Sequence, residues 1–312
     1  MSAAAADDVV EVAVVGGGIA ALSAGLFAAG FGLRTTVLTE IVMGGELLNL
    51  EEVDRYPGIP GAVSGSELAG RVEAQAVEAG ADFVYDDVTR VSRDSGGFLV
   101  AGLSAGVRAS SVVIATGARR RTLGVPGESA LEGKGISYCG TCDGPLFKDR
   151  AVAVVGDHDF AGREALVVAR YAAEVTLMTS RPALELAPAT RAALEASDRI
   201  NVLLNAEVTG LDESGGRLAG VRIRDVRSSA ETELRLAGLF VNSGMVPNTA
   251  LLEALLGEDA EGGVAVDGAM RAAVPGLFAA GWARRGFGGY AVMAAADGAV
   301  AATSARDFLR PG

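Results

Sequence analysis

Val9-Val10-Glu11-Val12-Ala13-Val14-Val15-Gly16-Gly17-Gly18-Ile19-Ala20-Ala21 is the stretch whose reading decides the fold. A run rich in β-branched residues reads as a buried strand, and it stops at three glycines. The pattern is G-x-G-x-x-A. It opens an alanine-rich stretch, Ala20 to Ala29, that reads as a helix, and Arg34 to Thr39 reads as a second strand. Each residue type has a task. Gly16 permits a tight turn, Gly18 lets the backbone approach a pyrophosphate, and small Ala21 lets helix and strand pack closely. The helix start offers unpaired N–H groups to the phosphates. With strand, turn, helix and second strand all in order, a dinucleotide-binding unit is expected. Glu40 stands about where an acidic residue binds the adenosine ribose; the alternative is a solvated charge at a strand end.

The same plan recurs about 140 residues later. Ala151 to Val155 reads as a strand, Gly156-Asp157-His158-Asp159-Phe160-Ala161 as its turn, the residues to Tyr171 as a helix, and Glu174 to Met178 as the next strand. Such a repeat implies two nucleotide-type domains. The chemistry of the two turns differs. His158 takes the place of the second glycine, so its imidazole would fill the pyrophosphate space, and Asp157 and Asp159 add negative charge there. Three readings of His158 stay open: a plug, a neutral surface residue, or a catalytic base.

The expected fold class is α/β, with two Rossmann-like nucleotide-binding domains of three-layer ββα type, the second inserted into the first. The expected domains are 1–117 with 245–312, and 118–244. Further helices are expected over Ser66 to Ala79, Leu251 to Leu256 and Ala291 to Arg306. Short strands are expected at Asp82 to Tyr85, Val88 to Val91 and Gly97 to Val100, and a buried strand over Val112 to Gly117 that ends in Ala-Thr-Gly. In the second unit, Asn201 to Asn205, Glu207 to Leu211, Leu218 to Arg224 and Leu234 to Val241 read as strands.

Cys139 and Cys142 are the only two cysteines, spaced C-x-x-C and followed by Asp143-Gly144. That spacing reads as a redox dithiol or as half of a zinc site. Zinc wants four ligands, and a chain with one histidine and no further cysteine cannot complete a Cys/His set, so no metal is expected. Two inert core thiols are the remaining alternative. The net charge is -12, which disfavours nucleic acid and anionic membrane as partners. Met1 to Asp8 is small and acidic, without a basic n-region, and no stretch approaches 18 unbroken apolar residues, so no membrane span is expected. A cysteine pair that cycles suits the cytosol, and a cytoplasmic location is expected.

Taken together, Gly16-x-Gly18-x-x-Ala21, Gly44-Gly45-x-Leu47, Tyr56-Pro57-Gly58, Ala115-Thr116-Gly117, Cys139-x-x-Cys142-Asp143-Gly144, Pro247-Asn248-Thr249 and Pro275-Gly276-Leu277-Phe278-Ala279-Ala280-Gly281 resemble the low-molecular-weight thioredoxin reductase family of flavoproteins. The resemblance covers nearly the whole chain. It implies FAD held by Gly16, Gly18, Ala20, Ala21, Glu40, Gly45, Glu46, Leu47, Ala115, Thr116, Gly117, Gly281, Trp282, Tyr290 and Ala291. It implies that Cys142 faces the flavin, that Cys139 exchanges with the substrate, and that Asp143 is the acid/base for the outgoing thiol. A homodimer and a thioredoxin-like protein or small-molecule disulfide or dithiol as partner are implied in the same way.

Departures from the family pattern shape the expectation further. Members that use NADPH carry three glycines where Gly156-Asp157-His158 stands. Their His-Arg-Arg run and a further Arg, which grip the 2′-phosphate, are Thr179-Ser180-Arg181 and Glu185 here. Losing two or three charge-assisted phosphate contacts, each about 1.5–3 kcal/mol, would weaken NADPH by several powers of ten. At the flavin end, the family's Gly-Asp is Gly281-Trp282 and its Arg-Gln pair is Gly289-Tyr290. Trp282 would stack on a flavin or cap a core. The expectation is an FAD-dependent thioredoxin-reductase-like disulfide reductase fed by a ferredoxin-type or other donor. The alternatives are a flavin-dependent dithiol oxidase passing electrons to oxygen, an ordinary NADPH-thioredoxin reductase, and a non-catalytic flavoprotein sensor.

Overall fold

The computed structural model describes residues 9–40, 42–53, 56–257 and 262–311; the acidic start, Met1 to Asp8, lies outside them. The chain forms two compact units, 1–119 with 246–312, and 120–245.

In the first unit, β1 (Val10–Val15) leads through the glycine turn into α1 (Ile19–Gly30), and β2 (Thr35–Thr39) returns beside β1. Then come α2 (Gly65–Glu78), β3 (Asp82–Tyr85), β4 (Val88–Asp94), β5 (Gly97–Gly102) and β6 (Gly106–Ile114). β1 lies between parallel neighbours β2 and β6. Strands covered on both faces read as continuous apolar runs, and Val12 to Val15 is such a run. The sheet order is β3-β2-β1-β6-β5-β4, with β4, β5 and β6 antiparallel.

The two faces of β1 feed different cores. Val12 and Val14 pack with α1, while Ala13 and Val15 pack with Val91, Phe98 and Val100 of β4 and β5. This period-2 alternation makes the three layers.

The chain crosses the boundary within β7 (Ala118–Arg120), and the second unit follows as α3 (Glu128–Leu131), β8 (Ile136–Ser137), α4 (Gly140–Asp143), β9 (Ala151–Val155), α5 (Asp159–Val168), β10 (Glu174–Met178), α6 (Pro188–Glu195), β11 (Ile200–Leu203), β12 (Ala206–Ser214), β13 (Arg217–Asp225), β14 (Glu231–Arg235) and β15 (Gly238–Val241). Its parallel sheet runs β11-β10-β9-β15-β8, and β12-β13-β14 form a separate antiparallel sheet. Val152 and Val154 face α5, whereas Ala153 packs with Val208, Val221 and Ile223 of the antiparallel sheet. This unit is therefore also three-layered.

The chain returns through β16 (Met245–Pro247), α7 (Glu253–Leu256), β17 (Leu277–Ala279) and α8 (Ala291–Leu309). β17 joins the first sheet against β6, and α8 packs closely on α1. A Cβ at Gly298 of α8 would lie 2.2 Å from Ala20 O, so glycine is needed at that crossing.

One expected strand divides. Leu234 to Val241 reads as continuous, but β14 ends at Arg235 and β15 starts at Gly238. Leu236 is buried where the chain passes from the antiparallel layer to the parallel one, and the Ala237 N–H donates to Ala151 O as the new ladder begins. Gly238 has no room for a side chain beside the Phe147 ring.

Candidate functional site

Two constellations carry chemistry. The first is a cleft of about 740 Å³, lined wholly by first-unit residues, outside the carboxyl ends of β1, β2 and β6. In an open α/β sheet, ligands bind in that position. Gly16 turns with φ +128°, and a Cβ on it would lie 2.2 Å from Ala115 O. Gly18 borders the cleft, and a Cβ on it would meet nothing within 4 Å. The backbone is thus bare toward the cleft. Gly18 is also the N-cap of α1 and supplies no side-chain cap, so among the described residues the first N–H groups of that helix have no capping side chain.

The Gly44 N–H donates to Gly17 O at 2.9 Å and brings the loop of Gly45, Glu46 and Leu47 alongside. Glu40, directly after β2, lies on the cleft wall. Ala115, Thr116 and Gly117 follow β6. Thr116 Oγ1 donates to Asn248 O at 2.6 Å, and Asn248 Nδ2 donates back to Thr116 O at 3.1 Å, which ties the returning chain to the cleft. Gly281, Trp282, Tyr290 and Ala291 complete the far end. Trp282 is half-buried, edge-on to Phe287 with ring centroids 5.1 Å apart. Of the residues expected to hold a flavin, Ala21 alone does not line the cleft; it is fully buried where α1 meets the sheet.

Sequence reasoning missed Asp297 and Asp86. Asp297, buried on α8, accepts from the Gly281 N–H at 3.1 Å and from Arg284 Nε at 2.6 Å. Asp86, also on the cleft wall, accepts from the N–H groups of Leu103, Ser104 and Ala105. Burial pushes the Asp86 carboxyl up, but the N–H groups of Ala105, Ser104, Leu103 and Asp87 outweigh it, so its pKa lies below the ordinary carboxylate range.

The bare glycine backbone, the uncapped helix start and the size of the cleft fit the pyrophosphate and rings of FAD.

The second constellation lies in the second unit. Cys139 and Cys142 form a disulfide with their Cα atoms 5.3 Å apart. Cys139 caps α4, its sulfur accepting from the Cys142 N–H at 3.2 Å. The Asp143 carboxylate accepts from Ser137 Oγ at 2.7 Å. A disulfide beside a carboxylate held by a hydroxyl is suited to thiol–disulfide exchange.

The repeated turn of this unit is stitched. The Asp157 carboxylate pairs with the Arg181 guanidinium. The Glu185 N–H donates to Asp157 O at 2.7 Å, and the Ala187 N–H donates to Asp159 Oδ1 at 2.9 Å. His158 lies 3.9 Å from the Asp157 carboxylate through Nδ1.

Residues 10–300 match the family model of the pyridine nucleotide-disulphide oxidoreductases. The chain is 35% identical over 299 residues to the thioredoxin reductase of Treponema pallidum, covering 96% of this chain and 97% of that protein. The chain belongs to the thioredoxin reductase family. The Streptomyces coelicolor thioredoxin reductase is 36% identical over 306 residues, covering 97% of this chain and 94% of that one. The Lactococcus lactis thioredoxin reductase crystal structure superposes with a TM-score of 0.90 at 28% identity, over 96% of this chain and 99% of that one. As a member of the thioredoxin reductase family, the chain is an FAD-dependent disulfide oxidoreductase. No helix among the described residues is long and apolar enough to cross a membrane.

Proposed function

We propose that this chain reduces a disulfide in a thioredoxin-like protein or small molecule, and that its FAD is refilled by a donor other than NADPH, such as a ferredoxin-type protein. The observation that carries the second part is the Asp157–Arg181 pair. Arg181 is the one cation kept where NADPH-using relatives place several, and a carboxylate of this chain already holds it. A 2′-phosphate would have to displace that carboxylate and lie beside its charge. The N–H groups of Glu185 and Ala187 are also committed to the turn.

The bound flavin would supply a store of two electrons. Gly16, Gly18 and the start of α1 would hold its pyrophosphate, and Glu40 its adenosine ribose. Gly281, Trp282, Tyr290 and Ala291 would line the ring end. Two electrons and two protons open the Cys139–Cys142 bond to a dithiol. Cys139 passes its proton to Asp143 and its thiolate attacks the substrate disulfide; a mixed disulfide forms and one substrate thiolate leaves, taking that proton from Asp143. Cys142 attacks Cys139 Sγ, the second substrate thiol departs, and the Cys139–Cys142 bond closes. Ser137 holds the Asp143 carboxylate for this transfer.

The test uses FAD-loaded protein reduced anaerobically with dithionite, freed of excess reductant and mixed with an oxidised thioredoxin. Wild type is expected to release four substrate thiols per flavin, two from the dithiol and two from the flavin's electrons, Cys139→Ser none, and Cys142→Ser at most one, stopping at the mixed disulfide. Release of no thiol by wild type, to thioredoxin or to small disulfides, would overturn the reading.

A further inference from the structure

Glu164 is the buried titratable group that the exchange steps above leave unused. It lies on α5, is 7% exposed, and its Oε1 accepts from the N–H of Gly140. Gly140 follows Cys139 directly, so the carboxyl sits one peptide unit from the first sulfur-bearing residue. The seat is tight. A Cβ on Gly140 would lie 2.9 Å from Glu164 Cδ and 2.7 Å from Val168 Cγ2, so glycine is required between the cysteines. The cysteine turn therefore rests on this side chain. A sulfur at Cys139 keeps the Cys142 N–H as its donor, while the Gly140 N–H is given to the carboxyl.

We propose that Glu164 is a positioning residue of the dithiol: it fixes the Cys139–Gly140 turn, and its charge sets how readily the reduced pair releases a proton. This rests on the reading of Cys139 and Cys142 as the working dithiol. Burial pushes the Glu164 carboxyl above the ordinary range, while the Gly140 N–H and the Arg120 guanidinium pull it down. Among the described residues, Arg120 is the charged group whose field acts on it. α4, packed on α5, brings Cys139, Cys142 and Asp143. α6 meets α5 through Thr190 and Leu194 at Gly162, and β9 and β10 meet it through Val152, Val154, Val175 and Leu177. Negative charge on the carboxyl that holds the Gly140 N–H and negative charge on the adjoining Cys139 disfavour one another, so each group resists ionising beside the other.

The test is alkylation by iodoacetamide, from about pH 5 to about pH 9, of FAD-loaded protein reduced with dithiothreitol. Glu164→Gln keeps an oxygen for the Gly140 N–H and removes the charge. Its rate profile is expected to move about one unit toward acid, making alkylation about tenfold faster on the rising limb. Glu164→Asp keeps the charge and is expected to return the profile toward wild type, which also covers the case of a poorly folded Gln variant. A Glu164→Gln profile superimposed on wild type, at unchanged flavin content and melting temperature, would overturn the proposal, and so would a Glu164→Asp profile that shifts as far as Gln. Failure of the exchange reading looks different: wild type alkylates with the same profile but releases no thiol from any disulfide.

Discussion

The chain builds the strand–turn–helix of a nucleotide site twice, at Gly16-Gly17-Gly18 and at Gly156-Asp157-His158, with different side chains at the two turns. In the first, the glycine at the helix start leaves open space, and among the described residues the N–H groups behind it have no capping side chain. In the second, a histidine starts the helix and the flanking aspartates hold Arg181 and the Ala187 N–H. On the function proposed above, the same backbone plan serves as a cradle in one unit and as a closed joint in the other, depending on a few side chains. Nucleotide binding belongs to the turn's chemistry and not to the fold.

The largest expected effect comes from making the first turn resemble the second. Gly18→Asp places a carboxylate in the open space, where it repels a pyrophosphate and takes its donors. Flavin affinity is expected to fall by about two orders of magnitude, on the order of 3 kcal/mol, read by retained flavin after gel filtration. Asp is a good N-cap and has room here, so the apoprotein should stay folded. Full flavin retention would break the comparison.

The converse change is smaller. Asp157→Gly with His158→Gly frees Arg181 and bares the turn. One restored charge-assisted contact is worth about 1.5–3 kcal/mol, so NADPH affinity is expected to rise about tenfold or more, measured by nucleotide titration calorimetry. No gain would show that the joint is closed by the surrounding loop and not by these two side chains.

The smallest effect concerns Asp86, an aspartate used to build the wall of the open cleft where Asp157 is used to close the other turn. Its carboxyl is held below the ordinary range, so it contributes stability above that range and loses it as pH falls through its lowered value. Asp86→Asn should melt below wild type near neutral pH, with the gap closing as both are acidified. A gap that stays constant with pH would contradict this account of Asp86.

How much was legible in the sequence follows from how local each feature is. The first turn was, because G-x-G-x-x-A after a β-branched strand states its requirement within a dozen residues. The cysteine pair was, by spacing alone. The His158 substitution was visible, but the Asp157–Arg181 pair was not. It joins residues on separate strand ends, and an exposed Arg and Asp in a sequence do not name their partners. Glu164 was hidden for the same reason. It occupies an ordinary place in a helix, and only the packing of α4 on α5 brings it to Gly140. Asp297 and Asp86 likewise reach backbone groups 16 to 19 residues away. Leu234 to Val241 read as one strand because its composition does not change where the chain changes layers.

The measurement that bears most directly on the contrast between the two turns is anaerobic mixing of FAD-loaded protein with excess NADPH, followed at the flavin absorbance band. The closed second turn predicts that the flavin stays yellow over the time in which dithionite bleaches it fully. Rapid bleaching by NADPH would contradict it and make this chain an NADPH-using member of its family.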